Sequence, residues 1–207
     1  QFQNHPQQCI IIAFWIIAIL LGIIHTWSGR HAMNPDGISY LDIGDAYFRR
    51  DWNMALNAYW SPFYSWLLGL MMFLLKPSPY YEFTVVHIVN FVIYLFALAS
   101  FHFFLIGLVS FHRNWAAKIP KDGNVTLSEE TLLALGYTLF IWSSLRLITI
   151  EVVTPDMCIS AFIYLVSGLL LRIRMGAISW LRFIILGITL GFSYLSKSSM
   201  LILSFVF

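Results

Sequence analysis

Charged residues are rare in this chain of 207 residues. They make up 11% of the sequence, where a soluble domain carries about 25%, and hydrophobic residues make up 59%. The net charge is only +2 and no basic tract interrupts the sequence, so the electrostatic signature of a nucleic-acid-binding protein is missing. We therefore expect no nucleic-acid partner.

Cysteine and metal-binding patterns are also missing. The two cysteines, Cys9 and Cys158, have the spacing of neither a metal site nor a disulfide framework, so we expect them to be small packing residues. No two histidines lie four residues apart beside a carboxylate, so the sequence predicts no metal site. His87, Asn90 and His102 fall within an apolar run, where interhelical hydrogen bonds are the expected role.

Long apolar runs dominate the chain instead. A membrane-spanning helix needs about 20 mostly apolar residues. The runs predict an all-α polytopic membrane protein whose spans are residues 9–27, 83–111, 131–150, 157–171, 178–196 and the start of a sixth at 200–207. The first run is too long for a signal-peptide core and lacks a small-residue cleavage site, so we expect it to be retained. Because the sequence has no initial Met and ends within an apolar run, we expect residues 1–207 to be one helical domain of a longer protein, with a C-terminal part missing.

Basic residues indicate how the chain is oriented. Two connections are rich in them, with Arg113, Lys118 and Lys121 in the first and Arg172 and Arg174 in the second. Such connections stay in the cytoplasm, and both do so only if the apolar segment 61–75 does not cross the membrane. That segment is short and flanked by tyrosine and tryptophan, as interfacial helices are, so we expect it to lie along the outer surface. If it crossed, both basic connections would lie outside and Asp36 would be separated from Asp156.

The outer connection, residues 28–82, holds an unusual share of the acidic residues. Four of the ten carboxylates lie in one short stretch of it: Asp36, Asp42, Asp45 and Asp51. Asn34 can cap a helix that has Pro35 at its first position, and apolar residues follow at helical spacing. The pattern predicts an amphipathic helix on the outer membrane surface.

Asp36 and Asp156 are the candidates for acid–base chemistry. Either could simply begin a helix, where the helix dipole favours a carboxylate, and Pro35-Asp36-Gly37 could be a turn. The functional alternative is a general base, or a carboxylate that orients an acceptor hydroxyl, at the boundary of water and lipid. The expected topology returns both residues to the same face of the membrane.

Two basic residues are candidates for substrate contacts. Lys197 ends an apolar run, where it could anchor the helix or hold a lipid phosphate beside Ser196 and Ser198. Arg146 lies within an apolar run, where ionisable residues are costly and often functional. Snorkelling of its long side chain to the interface is the competing explanation.

An ordered series of weak motifs runs through residues 9–205. Asp36 and a downstream tyrosine follow the first span, then Asp51-Trp52 and Pro62, and later Thr154-Pro155-Asp156 and the segment from Gly191 to Lys197. The series resembles the N-terminal half of the membrane glycosyltransferases of the GT-C superfamily. It is most similar to the protein O-mannosyltransferase group that includes the lipid A aminoarabinose transferases.

The resemblance implies a GT-C-like helical bundle with amphipathic juxtamembrane helices in the first outer loop. It also implies an inverting enzyme that moves a sugar from a polyprenyl-phosphate donor to a glycan, lipid or protein acceptor, at the outer face of a bacterial inner membrane. Asp36 would be the base and Asp156 would orient the acceptor or the base. Tyr40, Arg146 and Lys197 would bind substrate, with Lys197 at the leaving phosphate.

The chain departs from the family pattern at two places. Asp36 is followed by Gly37 instead of glutamate, and a lysine common before a Pro-Leu stretch is absent from Tyr59-Trp60-Ser61-Pro62-Phe63. The sequence predicts no cofactor and leaves the use of a divalent metal open. The alternative function is a non-catalytic membrane protein, such as a transporter or assembly component, or a degenerate homologue that binds polyprenyl lipid without transfer.

Overall fold

Helices account for all the regular structure in the computed structural model, which describes residues 5–56, 59–118 and 127–206. The α-helices are α1 His5–Gly29, α2 Pro35–Arg49, α3 Trp52–Ala55, α4 Pro62–Leu75, α5 Glu82–Ala116, α6 Glu129–Trp142, α7 Asp156–Arg174, α8 Trp180–Ser196 and α9 Met200–Ser204. A 3-10 turn, Pro79–Tyr81, precedes α5, and a π-helical segment, Ser143–Leu147, follows α6. The expected all-α architecture is confirmed.

Three of the described helices are long and apolar enough to cross a membrane: α1, α5 with its preceding turn, and α7. α4 and α8 are apolar but shorter. With 17 residues, α8 is about 25 Å long, slightly less than a typical hydrocarbon core. The helix at the predicted span 131–150 ends early: α6 and the π-helical segment follow each other without a break to Leu147, and an irregular loop then leads to Asp156.

The pair α5 and α7 forms the centre of the bundle. Phe96 stacks edge-on against Phe162, and Gly107 lies against Arg172, so the two helices run in the same direction. At Gly168, an added Cβ would lie 2.5 Å from the Phe103 ring, so only glycine allows the helices to approach this closely. Small residues at helix crossings are a usual feature of packing in membranes.

The other long helices run opposite to this pair. The Tyr94 hydroxyl of α5 donates to the Ala18 carbonyl of α1 at 3.0 Å. Near the start of α1, Gln7 donates to Glu129 at the start of α6. Arg113, near the end of α5, pairs with the same Glu129. This end of the bundle, which also carries Arg172, Arg174 and Arg182, is called the basic end below.

The opposite end, called the cavity end, contains the connection between α1 and α5. His87 near the start of α5 contacts the Ala32 carbonyl at 2.9 Å, and α7 begins at the same end. Helix α4 starts there beside the segment Thr154–Asp156 and also finishes there, where Lys76 lies near Asp45 and Glu82. Both ends of α4 therefore meet the same end of the bundle. Lys121 lies outside the described residues.

A close contact of two backbones holds α2 on α4. A Cβ added at Gly44 would lie 2.5 Å from the Ser65 carbonyl oxygen, and one at Gly69 would overlap the Gly44 carbonyl oxygen. Phe48 and Phe73 stack at 5.3 Å further along the same pair of helices. The contact fixes where the N-terminus of α2, with Asp36, lies relative to α4.

Candidate functional site

A cavity of about 270 Å³ lies at the cavity end of the bundle. Its walls come from four separate stretches of chain: the first turns of α2, the turn before α4, the start of α7 and the residues after α8. The lining residues are Asp36, Tyr40, Tyr59, Trp60, Ser61, Thr154, Pro155, Asp156, Lys197, Ser198 and Ser199. Four of the five residues that the sequence singled out thus surround one space.

Asp156 begins α7 and has both carboxylate oxygens engaged. Its Oδ1 accepts a hydrogen bond from the Lys197 ammonium at 3.0 Å, and its Oδ2 accepts one from the Thr154 hydroxyl at 3.1 Å. The lysine and aspartate side chains are 52% and 42% exposed, so the ion pair contributes at most about 1 kcal/mol to stability. An ammonium has three N–H donors, and two of those on Lys197 remain for a ligand.

Asp36 lies in the first turn of α2, where the helix dipole favours its negative charge. The residue is exposed, and in the parts of the chain that the structure describes no cation pairs with it. Its carboxylate is therefore available to accept a proton from a hydroxyl in the cavity. Asp36 and Asp156 differ in this respect, because Asp156 already holds a lysine.

Gly37 lies in a tight contact between α2 and the loop before α7. An added Cβ would lie 2.7 Å from Cβ of Val153 and 2.6 Å from the Met33 sulfur. Since α2 packs against the loop before α7 at this point, a larger side chain would not fit without moving that loop. The Asp36-Gly37 pair thus belongs to a tight contact between the two segments that carry Asp36 and Asp156.

The side chain of Asn34 joins these two segments directly. Asn34 occupies the expected N-cap position of α2, with Pro35 next, but its side chain makes no capping bond. Instead its Oδ1 accepts from the Val153 N–H at 2.9 Å, and its Nδ2 donates to the Val153 carbonyl at 3.4 Å. Asn34 therefore ties the start of α2 to the loop that leads into Asp156.

Asn90, on α5, holds the same loop from the inside of the bundle. Its Nδ2 donates to the Ile150 carbonyl at 3.2 Å, and its Oδ1 accepts from the Tyr64 hydroxyl at 2.6 Å. The interhelical hydrogen bonding expected for Asn90 is thus present, and it links α4, α5 and the loop before α7. His102 likewise contacts the Tyr137 hydroxyl of α6 at 2.5 Å.

Tyr40 forms a buried wall of the cavity. Its ring packs edge-on against Trp60 at 4.7 Å and against Tyr64 at 5.2 Å. Burial, followed by the negative charges of Asp156 and Asp36, raises the pKa of Tyr40 to about 12. The phenol is consequently protonated at neutral pH and can donate a hydrogen bond.

Arg146 does not belong to this cavity. It lies exposed on the π-helical segment, and the residues that line the cavity do not include it. Residues 148–155 form an irregular loop between this segment and Asp156, and Arg146 lies outside the candidate site.

A second compartment adjoins the cavity on its aromatic side. It has a volume of about 260 Å³ and shares Tyr59, Trp60, Ser61 and Ser198 with the first. The remaining lining comes from Pro62 of α4 and from Tyr194 and Leu195 of α8. A polar compartment with carboxylates and an ammonium thus lies next to one lined mostly by rings and aliphatic groups.

Sequence patterns miss several of the lining residues. Thr154 and Ser199 lie beside predicted residues but give no periodic or charge signal of their own. Trp60 and Ser61 belong, by their pattern, to the start of an interfacial helix, and only the packing of α4 against α2 brings them to Asp36. Within the described ranges, no group of three histidine, cysteine or carboxylate side chains could hold a metal ion.

Comparison of the chain with protein-family models, with curated proteins and with solved structures found no match. Functional inference therefore rests on the geometry of the cavity and on the motif series in the sequence.

Proposed function

We propose that this chain is the N-terminal, catalytic-loop-bearing part of a membrane glycosyltransferase with a GT-C-like bundle. It would move a sugar from a polyprenyl-phosphate donor to an acceptor hydroxyl. The observation that supports the proposal best is the single cavity at which Asp36, Asp156 and Lys197 meet at one end of an apolar bundle. A reaction between a lipid-linked phosphosugar and a polar acceptor needs a carboxylate and a cation, and this end of the bundle brings both to one cavity.

Asp36 would act as the general base. The acceptor oxygen attacks the anomeric carbon while its proton passes to the Asp36 carboxylate. The bond from the anomeric carbon to the phosphate oxygen breaks, and its electron pair leaves with the phosphate. A phosphate leaves without being protonated, so one base suffices, in contrast to the paired carboxylates of glycosidases.

Lys197 would offset the charge that develops on the leaving phosphate. Its contact with Asp156 holds the ammonium at the mouth of the cavity, while its other two N–H groups stay available for phosphate oxygens. Asp156 is accordingly a positioning residue in this proposal, because both of its oxygens are already engaged. Tyr40 would donate its phenol hydrogen to a sugar hydroxyl.

The cavity would face outward from a bacterial inner membrane. The arginines and lysines of the basic end lie at the end of α5 and on both sides of the short turn after α7: Arg113, Lys118, Arg172, Arg174 and Arg182. The connection between α1 and α5 instead mixes arginines and lysines with carboxylates. An excess of lysine and arginine close to the ends of spans favours the cytoplasmic side. With the basic end inside, the cavity opens on the outer side, where α4 lies along the membrane surface because both of its ends meet the cavity end.

Substitution of Asp36 tests the proposal in the full-length protein, reconstituted in lipid with a panel of undecaprenyl-phosphate sugars. Asp36→Asn should lower transfer by about 10²-fold or more, because an amide cannot take the hydroxyl proton. Binding of undecaprenyl phosphate should stay within about twofold of the wild type, since Asp36 acts on the acceptor and a general base contributes to turnover. Asp45→Asn is the matched control, because Asp45 lies on the same helix, pairs with Arg49 and does not line this cavity.

Lys197→Gln should behave differently and weaken undecaprenyl-phosphate binding together with transfer. Retention by Asp36→Asn of more than about a tenth of the wild-type rate would refute the role of Asp36 as base, since loss of a base implies far less. If undecaprenyl phosphate binds in a Lys197-dependent way but no sugar of the panel is transferred, the degenerate lipid-binding homologue is the better description. If it does not bind at all, the transporter or assembly alternative is favoured.

A further inference from the structure

A larger cavity lies at the basic end, at the opposite end of the bundle from the candidate site and its adjoining compartment. It has a volume of about 620 Å³, within the range of about 300–1,000 Å³ that small-molecule sites occupy. It is formed where the last turns of α5 meet the turn after α7. The left-handed backbone of Gly176, with φ of +89°, makes that turn and leaves open space around it.

Two cations define the charge of this basic-end cavity. Lys118 and Arg174 both line it, and the described residues of its wall include no carboxylate. Arg113 is close in sequence but pairs with Glu129, whereas no carboxylate pairs with Lys118 or Arg174 in the described ranges. The cavity therefore has an excess of positive charge that these parts of the chain do not neutralise.

Apolar and aromatic groups form much of the remaining wall. Phe111 and Trp115 come from α5 and Met175 from the turn after α7, and the Arg174 guanidinium lies 5.5 Å from the centre of the Phe111 ring. Trp115 is 54% exposed and lies one helical turn after the apolar run of α5 ends at Phe111, the position at which tryptophan lies at a membrane interface. Asn114 adds an amide that can donate to a phosphate ester.

We propose that the basic-end cavity binds the phosphate headgroup of an anionic membrane phospholipid. Lys118 and Arg174 contact the phosphate, while Trp115 and Phe111 contact the glycerol and the upper acyl chains. The apolar rim at the end of a membrane-length helix favours a lipid over a free phosphate, which has no apolar part to bury. The site needs only the membrane location of the bundle and is independent of glycosyl transfer.

Phosphatidylglycerol is a suitable probe for this site. The full chain, stripped of lipid and returned to phosphatidylcholine nanodiscs with increasing phosphatidylglycerol, should retain phosphatidylglycerol in native mass spectra. Lys118→Gln combined with Arg174→Gln should weaken this retention by about tenfold or more, as expected when two cations near a membrane surface are lost. Arg30→Gln combined with Arg49→Gln removes the same charge at the cavity end and should leave retention unchanged.

A second double variant distinguishes the loss of positive charge from misfolding. Lys118→Arg combined with Arg174→Lys keeps both charges and should retain phosphatidylglycerol within about threefold of the wild type, because the attraction between the two cations and the headgroup is preserved. Equal retention by the wild type and the double glutamine variant would overturn the proposal. Displacement of the lipid by soluble glycerol phosphate at equal concentration would also overturn it, because the site would then recognise free phosphate.

Discussion

At the scale of single residues, Asn34 has the most informative position. Its sequence context, Asn34-Pro35-Asp36, indicates a helix cap, and the helix does begin there. Its side chain nevertheless bonds Val153, which is 119 positions away, on both the N–H and the carbonyl. A residue that marks a local helix start therefore also sets the spacing between the segments that carry Asp36 and Asp156.

Replacement of Asn34 separates these two roles. Asn34→Ala should lower the free energy of unfolding by about 1–3 kcal/mol, because the N–H of the buried Val153 loses its partner. Asn34→Ser keeps a good capping residue but cannot reach Val153, so it should lose nearly as much. Thermal unfolding in detergent gives the stability, and hydrogen exchange of residues 150–155 should speed up in both variants. Full recovery by serine would show that capping is the main role.

The pair formed by Lys197 and Asp156 is a second residue-scale feature with a measurable consequence. Asp156→Asn leaves Lys197 without its charged partner but keeps the Thr154 contact possible. Because the pair is well exposed, stability should fall by less than about 1 kcal/mol. If Asp156 only positions Lys197, transfer by Asp156→Asn should fall less than transfer by Asp36→Asn. The affinity of Asp156→Asn for undecaprenyl phosphate should differ from that of the wild type. A loss of transfer as large as that of Asp36→Asn, with binding intact, would instead assign proton transfer to Asp156.

At the scale of helices, the contact between α2 and α4 determines where the cavity forms. Gly44 and Gly69 bring the two backbones together, and aromatic pairs such as Tyr40 with Tyr64 pack beside them. Helix α4 carries Ser61 at its N-cap and α2 carries Asp36 in its first turn. The distance between these helices therefore sets the width of the cavity.

Enlarging one of these glycines should separate the helices. Gly44→Ala places a methyl group against the Ser65 carbonyl and should cost about 1–3 kcal/mol of stability, as overpacking does. Gly191→Ala is the matched control on α8, where nothing lies within 4 Å of the added atom. That change should be neutral or stabilise by up to about 1 kcal/mol, through the higher helix propensity of alanine. Equal unfolding temperatures for the two variants would contradict the close contact.

At the scale of the whole molecule, the end of the bundle at which each helix begins and ends determines how many times the chain would cross a membrane. The last turns of α5 meet the turn after α7 at the basic end, while α4 begins and finishes at the cavity end. A helix whose two ends lie at the same end of the bundle does not carry the chain across. The helices α1, α5, α6, α7 and α8 then alternate in direction between the two ends, and the proposed orientation would place the basic end inside.

Cysteine labelling of intact cells measures this topology. In a Cys9→Ser background, with Cys158 buried, Ser61→Cys and Lys76→Cys should react with a membrane-impermeant maleimide from outside. Lys118→Cys should react only after the membrane is permeabilised. Labelling of positions 61 and 76 from opposite sides would show that α4 crosses the membrane. Labelling of position 118 from outside would reverse the proposed orientation.

Helices that depend only on residues close together in the sequence could be predicted from it. Apolar runs of sufficient length predict α1, α5 and α7 as membrane-length helices, and Asn34-Pro35 predicts the start of α2. The helix within the predicted span 131–150 extends only to Leu147, because a π-helical turn followed by an irregular loop leaves little trace in an apolar pattern. Apolar periodicity shows which residues share one face of a helix, and it does not show where a π-helical turn or the end of the helix lies.

Which candidate residues meet depends on the packing of the helices. Asp156 and Lys197 are 41 positions apart, and they pair because α7 and α8 run in opposite directions. Tyr59, Trp60 and Ser61 reach Asp36 because Gly44 and Gly69 let α2 lie on α4, while Arg146 stays outside the cavity. The physical reason is that contacts between distant segments depend on how whole helix faces pack, and that packing is set by many side chains together rather than by the motif around any one of them.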